Sequence, residues 1–243
     1  MESLASKTLL VLPALNESEV IASVIQEIHS CLPGFDILVV DDGSSDNTGE
    51  AALNAGADVA TLPFNLGVGG AMRLGFQYAV SCGYANVVQI DSDGQHDPRN
   101  VPELLAKLDS FDLVIGARFA GQGDYEVRGP RRWAMKLLSL SLSKVAHTKL
   151  TDTTSGFKAS GPKAVQLFAL HYPAEYLGDT IEALVIASKA GCTITQVPVS
   201  MRPRAGGVPS HNPLKAAIYL GRAIVALCFS MLRPAVKIKG SDA

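Results

Sequence analysis

Five apolar runs constrain this 243-residue chain more than any other feature, because each is cut short by a polar or glycine-rich cluster and the first four are followed by helical sequence. They are Thr8 to Ala14, Phe35 to Val40, Asp58 to Leu62, Asn86 to Ile90 and Asp112 to Ile115. Their apolar residues are continuous rather than alternating, which is the pattern of strands buried on both faces. Between them, Val20, Ile21, Val24, Ile25 and Ile28 recur at helical spacing, Ala-rich sequence follows Thr48, and helices are predicted over about 71–81 and 101–108. The expectation is one α/β domain built on a mostly parallel, Rossmann-like central sheet flanked by helices.

In such sheets, ligands bind outside the carboxyl ends of the strands. The unusual polar residues fall there: Asn16 and Glu17, Asp41 and Asp42, Asn65, Asp91 and Asp93, and Arg118. Within Val88 to Pro98, Asp91 and Asp93 stand one residue apart where an apolar strand ends, so both can reach one divalent cation. This reads as a metal-diphosphate site: Mg²⁺ or Mn²⁺ would neutralise the charge that develops on a leaving diphosphate, and Arg202 and Arg204 would add charge-assisted bonds. Structural alternatives stand beside each assignment. A lone DxD is often only a strand-end turn, Asp41 or Asp46 can cap the next helix, and Gly67, Gly69 and Gly70 can serve close packing alone. Glu17 suits the first turn of a helix, and His96 is as readily a turn residue as a ligand.

Beyond Arg118 the pattern loosens. Residues 119–132 are glycine- and arginine-containing and are expected as a loop leading into a helix over about 133–145. Residues 152–158 are polar and turn-rich, 181–190 are helical in pattern, and 193–199 form a strand. The final apolar helix, about 213–232, has an uncharged stretch over 223–232 that is too short for a bilayer core needing about 20 residues. Its flanking Arg222, Arg233, Lys237 and Lys239 suit an interfacial helix; a core or dimer-interface helix is the other reading. Lys plus Arg against Asp plus Glu number 13 against 22 over residues 1–182 but eight against none over 183–241. That basic end suits phosphates or an anionic membrane surface, whereas nucleic acid is disfavoured because its basic residues are not interleaved with stacking aromatics. Cys31, Cys82, Cys192 and Cys228 lack metal-ligand spacing, and with no signal-peptide pattern they point to a cytoplasmic protein with reduced thiols.

Taken as an ordered set, Pro13-Ala14-Leu15-Asn16-Glu17, Val39-Val40-Asp41-Asp42-Gly43-Ser44-Ser45-Asp46, Asn65-Leu66-Gly67-Val68-Gly69-Gly70-Ala71, Asp91-Ser92-Asp93-Gly94-Gln95-His96 and Gly116-Ala117-Arg118 resemble the family 2 glycosyltransferases, in the dolichyl/polyprenyl-phosphate mannose synthase-like branch. The resemblance spans about residues 8–205 and implies the GT-A fold, inverting transfer of a hexose from a nucleotide diphosphate sugar (GDP- or UDP-), and a divalent cation. It assigns Pro13, Leu15 and Glu17 to the nucleotide pocket, Val40 and Asp42 to the base with Asp41 beside them, and Asn65, Gly70 and Ser92 to the donor side. Asp91, Asp93 and Gln95 become the metal-facing set and Arg118 a phosphate contact. Asp152 to Lys158 resembles the acceptor-side DxTSGF segment, and Arg202 and Arg204 an arginine-bearing loop over the diphosphate. By the same resemblance, about 1–118 is a nucleotide-sugar-binding half, about 119–210 an acceptor-side half and about 211–243 a basic helix and tail.

The acceptor expected is a polyprenyl phosphate or a cell-envelope glycan. For a hydroxyl acceptor, Asp179 is the preferred general base, with Glu182 one turn further along; an ionised lipid phosphate needs none. Members of that branch often carry transmembrane helices after the catalytic domain, so this chain is expected to be soluble or peripherally attached at the inner face of the membrane, with a membrane-protein partner and a homodimer left open. A nucleotidyltransferase on a related scaffold and a non-catalytic nucleotide-sugar-binding protein are the competing readings.

Overall fold

The structure is a computed structural model and describes residues 2–5, 7–118, 139–146, 148–173 and 179–202. A short helix α1 (Glu2–Ala5) precedes β1 (Thr8–Ala14), α2 (Ile21–Cys31), β2 (Asp36–Asp41), α3 (Thr48–Asn54), β3 (Asp58–Thr61), α4 (Gly67–Cys82), β4 (Asn86–Gln89), α5 (Val101–Lys107) and β5 (Leu113–Ala117). Residues 139–145 are helical. They are followed by β6 (Lys158–Ser160), α6 (Pro162–His171), α7 (Asp179–Lys189) and β7 (Ile194–Pro198).

The seven strands form one sheet in the order β3-β2-β1-β4-β6-β5-β7. Four neighbouring pairs are parallel, and only β6 runs antiparallel, to β4 on one side and β5 on the other. From β1 the chain steps outward to β2 and β3, then returns to place β4 on the other side of β1. The carboxyl ends of β1 and β4 therefore flank the switch point at which a crevice opens above the sheet.

Every residue of β1 is buried. Side chains alternate across a strand, so Leu9 and Val11 enter one core layer with Met72, Phe76, Phe168 and Leu184, while Leu10 and Leu12 enter another with Ile21, Ile25, Ile28 and Leu104. Each such side chain, taken fully from water, contributes about 1.5–3 kcal/mol before entropy is counted. Gly75 lets α4 lie directly on β1, since a Cβ there would sit 2.6 Å from Val11 Cγ1. The five apolar runs thus become β1 to β5 with ends shifted by a residue or two. The final helix and tail lie outside the described residues.

Candidate functional site

On one flank of the switch point, Asn16 adopts φ +54° and its side-chain Oδ1 accepts from Ser45 N at 2.8 Å, while its own N–H donates to Ser44 Oγ at 2.9 Å. Glu17 N donates to Thr48 Oγ1 at 2.8 Å and Ser18 N to Asp46 at 3.3 Å, so the turn after β1 is laced to the turn after β2. Asp46 also accepts from Thr48 N at 3.0 Å at the start of α3. Asp46 thereby caps the start of α3.

Asp42 is buried, and its two carboxylate oxygens accept from Leu66 N at 2.7 Å and Gly67 N at 2.8 Å, the first amides of α4. A helix start leaves such N–H groups without intrahelical partners, and a carboxylate satisfies them while favouring the positive end of the helix dipole. Burial pushes the Asp42 carboxyl above its usual range; the two amide bonds offset part of that rise, and the neighbouring Asp41 adds to it. Asp41 is buried and accepts from Ser44 N at 2.9 Å.

Beneath these turns lies a cavity of about 220 Å³ lined by Pro13, Ala14, Leu15, Asp42, Asn65, Gly67, Val68 and Gly69. Pro13, Leu15, Asp42 and Asn65 were expected at such a pocket. Ala14 and Val68 were not assigned to it, and Gly67 and Gly69 were named only for close packing in the glycine-rich run that leads into α4. Val40 is fully buried in the core layer against α4 and is not among the lining residues. Gly70 is also buried and packs on Leu66 one turn before it.

At the end of β4 the chain bends through the Asp91–Asp97 loop. Ser92 Oγ donates to Pro13 O at 2.9 Å, joining this loop to the cavity wall. Asp93 is buried, with Oδ1 accepting from Gln95 N at 3.0 Å, and Asp91 keeps a side chain 38% exposed. His96 is buried, takes the Asp91 N–H on Nδ1 at 3.0 Å, places Nε2 3.5 Å from Asp91 Oδ2, and stacks on Phe157 with centroids 4.7 Å apart. Its role here is to brace Asp91. Gly156 faces the same carboxylate: a Cβ there would lie 2.9 Å from Asp91 Oδ1. No group of three or more His, Cys, Asp or Glu among the described residues has the geometry of a metal site. Two carboxylates plus the amide of Gln95 nevertheless make an all-oxygen donor set suited to a hard divalent cation, and the missing Cβ at Gly156 leaves Asp91 room to act in it.

On the other flank, Arg118 follows β5 and is fixed by Asp152, whose side chain is wholly buried. Asp152 accepts from Arg118 Nε at 2.7 Å, Nη2 at 3.1 Å and N at 3.2 Å, and Arg118 Nη2 also donates to Thr154 Oγ1 at 2.8 Å. Burial alone would raise the Asp152 carboxyl, but the Arg118 guanidinium and the amides of Arg118 and Thr154 hold it below its usual range. Gln196 on β7 supports the segment from beneath, accepting from Thr151 N at 2.8 Å and donating to Asp152 O at 2.7 Å. Asp179 opens α7, but its side chain, like Arg204, lies outside the described residues; Glu182 is buried in α7.

Residues 9–166 match the family model described as glycosyl transferase family 2. The chain is a family 2 glycosyltransferase. The undecaprenyl-phosphate mannosyltransferase of Micrococcus luteus is 30% identical over 82% of this chain and 84% of its own length. The polyprenol monophosphomannose synthase of Mycolicibacterium smegmatis is 30% identical over 83% and 80%. Among solved structures, the glucosyl-3-phosphoglycerate synthase of Mycobacterium tuberculosis in complex with UDP is similar with a TM-score of 0.71 and 26% identity, covering 96% of this chain and 83% of that one. The same enzyme with Mn²⁺, UDP-glucose and phosphoglyceric acid gives 0.70 and 25% over 96% and 83%.

In this glycosyltransferase the family match takes in the cavity, the Asp91–Asp97 loop, Arg118 and Asp152, and ends within α6. Arg202, beyond it, has its guanidinium between two carboxylates: Nη1 donates to Glu27 Oε1 at 2.7 Å and Oε2 at 2.9 Å, and Nη2 lies 2.9 Å from Asp97 Oδ2. Glu27 belongs to no recognisable motif. Only its position one turn of α2 before Cys31, on the helix face away from Ile21, Val24, Ile25 and Ile28, hints that it is not core.

Proposed function

We propose that this glycosyltransferase moves a hexose from a nucleotide diphosphate sugar to a polyprenyl phosphate, with inversion at the sugar carbon and with a divalent cation on Asp91, Asp93 and Gln95. The observation that carries this reading is the junction made by Ser92: it bonds Pro13 in the cavity wall and stands between the two carboxylates, so nucleotide pocket and cation residues form one continuous surface. The names of the two mannosyltransferase relatives support the acceptor class, and the Mn²⁺ and UDP-glucose of the structural neighbour support the donor chemistry.

The cavity holds the nucleoside, with Leu15 and Val68 as apolar walls and Asn65 as a polar one. Asp91 and Asp93 sit where the diphosphate would emerge, and a cation bound there supplies Lewis-acid neutralisation of the leaving group. Arg118, set by Asp152 and Thr154, presents a fixed cation to the acceptor phosphate, so the incoming oxygen is held in line with the bond to be broken. An ionised phosphate oxygen needs no proton removed, which leaves Asp179 without a required role unless the acceptor is a hydroxyl. The chain thereby divides into a nucleotide-sugar side through Arg118 and an acceptor side after it. Among the described residues no helix is long and apolar enough to cross a membrane.

The test is a panel of GDP- and UDP-sugars with polyprenyl phosphate and Mg²⁺ or Mn²⁺. Release of nucleoside diphosphate together with a polyprenyl-phosphate sugar is expected, and Asp93→Ala should abolish it along with Mn²⁺ binding. Wild-type turnover by Asp93→Ala, or pyrophosphate as the product, would overturn the reading.

A further inference from the structure

We propose that Glu27 is a positioning residue for the cation loop, and that Arg202 works as a tie between α2 and that loop rather than as a ligand of the donor diphosphate. The proposal rests on the cation assignment made above. A guanidinium presents its N–H donors in a rigid fork, and in Arg202 Nη1 is committed to both oxygens of Glu27 and Nη2 to Asp97. A diphosphate would have to displace a carboxylate that already holds the same edge.

The backbone shows what the tie fixes. Arg202 N donates to Gln95 O at 3.0 Å, Gln95 Nε2 donates back to Arg202 O at 3.4 Å, and Met201 makes an antiparallel bridge with His96. With its Nε2 spent on Arg202, the Gln95 amide has Oε1 as the atom left for a cation. Asp97, the other anchor, also accepts from Arg99 N at 3.0 Å and Arg99 Nη2 at 2.8 Å, so the far end of the loop is pinned by two arginines. Arg202 and Glu27 lie 175 residues apart in sequence, and the contact ties α2 to the segment that follows β7.

The two roles of Arg202 give opposite expectations for Glu27→Gln. As a tie, losing Glu27 loosens the loop in the same sense as Arg202→Gln. As a diphosphate ligand, losing Glu27 releases the arginine for the donor. Hydrogen exchange on the cation-free chain reads the tie directly: Glu27→Gln should speed exchange of the amides over 93–97, and Glu27→Asp should partly restore it. Mn²⁺ binding followed by electron paramagnetic resonance should weaken by about tenfold in Glu27→Gln, the low end for outer partners of metal ligands because this pair is partly exposed. Adding Glu27→Gln to Arg202→Gln should change nothing further. Glu27→Gln with wild-type exchange over 93–97, or with tighter GDP or UDP binding while Arg202→Gln weakens it, would overturn the proposal. If the arginine variant does not fold, Glu27→Gln and Glu27→Asp decide alone, since Glu27 is partly exposed and outside the core. Absence of Mn²⁺ binding in the wild-type chain would instead refute the cation assignment, and the exchange measurement would still decide the tie.

Discussion

Replacing Asp152 by Asn changes one oxygen to NH₂ at constant size and removes the charge that faces Arg118. The carboxylate accepts from Arg118 Nε, Nη2 and N and from Thr154 N at 3.2 Å and Thr154 Oγ1 at 3.1 Å, so the new NH₂ must point at a donor whichever way the amide turns. Hydrogen bonds to charged groups contribute about 1.5–3 kcal/mol each net, and breaking a fully buried pair costs about 3–5 kcal/mol. The Arg118 side chain is 33% exposed and regains water, which brings the cost below that of a fully buried pair, to about 2–3 kcal/mol. For a chain of this length that corresponds to a Tm lower by about 4–12 °C. The sign with pH follows from the depressed carboxyl. The folded state binds fewer protons there than the unfolded chain, so the contribution is complete above the ordinary value of 3.8 and is lost as pH falls through the lower folded value. Thermal melts of wild type and Asp152→Asn from pH 8 to pH 3 should therefore run parallel to about pH 5 and converge below about pH 4. Acceptor KM should rise about tenfold at neutral pH with kcat less affected, because Arg118 is loosened rather than removed. A Tm within about 2 °C of wild type at pH 7, or a difference that grows toward low pH, would refute the reasoning.

Gly156→Ala would bring a Cβ to 2.9 Å from Asp91 Oδ1 and 3.2 Å from Oδ2, so Mn²⁺ titration should show at least about tenfold weaker binding while the melt changes little, Asp91 being partly exposed and free to shift. Gly75→Ala drives its Cβ to 2.6 Å from Val11 Cγ1 in the α4–β1 contact, so denaturant unfolding should show a loss of about 1–3 kcal/mol. Adding Val11→Ala to Gly75→Ala should cost less than the two changes summed; strict additivity would mean that the contact does not limit α4 packing.

Much of the fold was legible because the information is local. Continuous apolar runs specify strands buried on both faces, and a polar cluster after each run marks the rim, so β1 to β5 and the positions of Asp42 and Asp91 follow from periodicity. Lys158-Ala159-Ser160 offered no such signal: a three-residue strand with Lys and Ser on one face has no apolar period, and it exists because β4 and β5 supply partners on both edges. The starting point of α4 was also hidden. Glycines at Gly67, Gly69 and Gly70 argue against a helix by propensity, and the carboxylate that starts it, Asp42, is 25 residues away in sequence.

The site divides in the same way. The sequence by itself determined which residue types stand at the carboxyl ends of the strands, because chain order and alternation fix that much: Pro13, Leu15, Asp42, Asn65, Asp91, Asp93 and Arg118. Only the tertiary structure decided which of them share a surface and what else each is bound to. Asp42 proves to be a helix cap as well as a cavity wall, Val40 turns into the core, Asp152 fixes Arg118, and Arg202 is held by Glu27 and Asp97. Those pairings join segments tens to hundreds of residues apart through charge and hydrogen bonding, and no local pattern encodes the partner of a charged side chain.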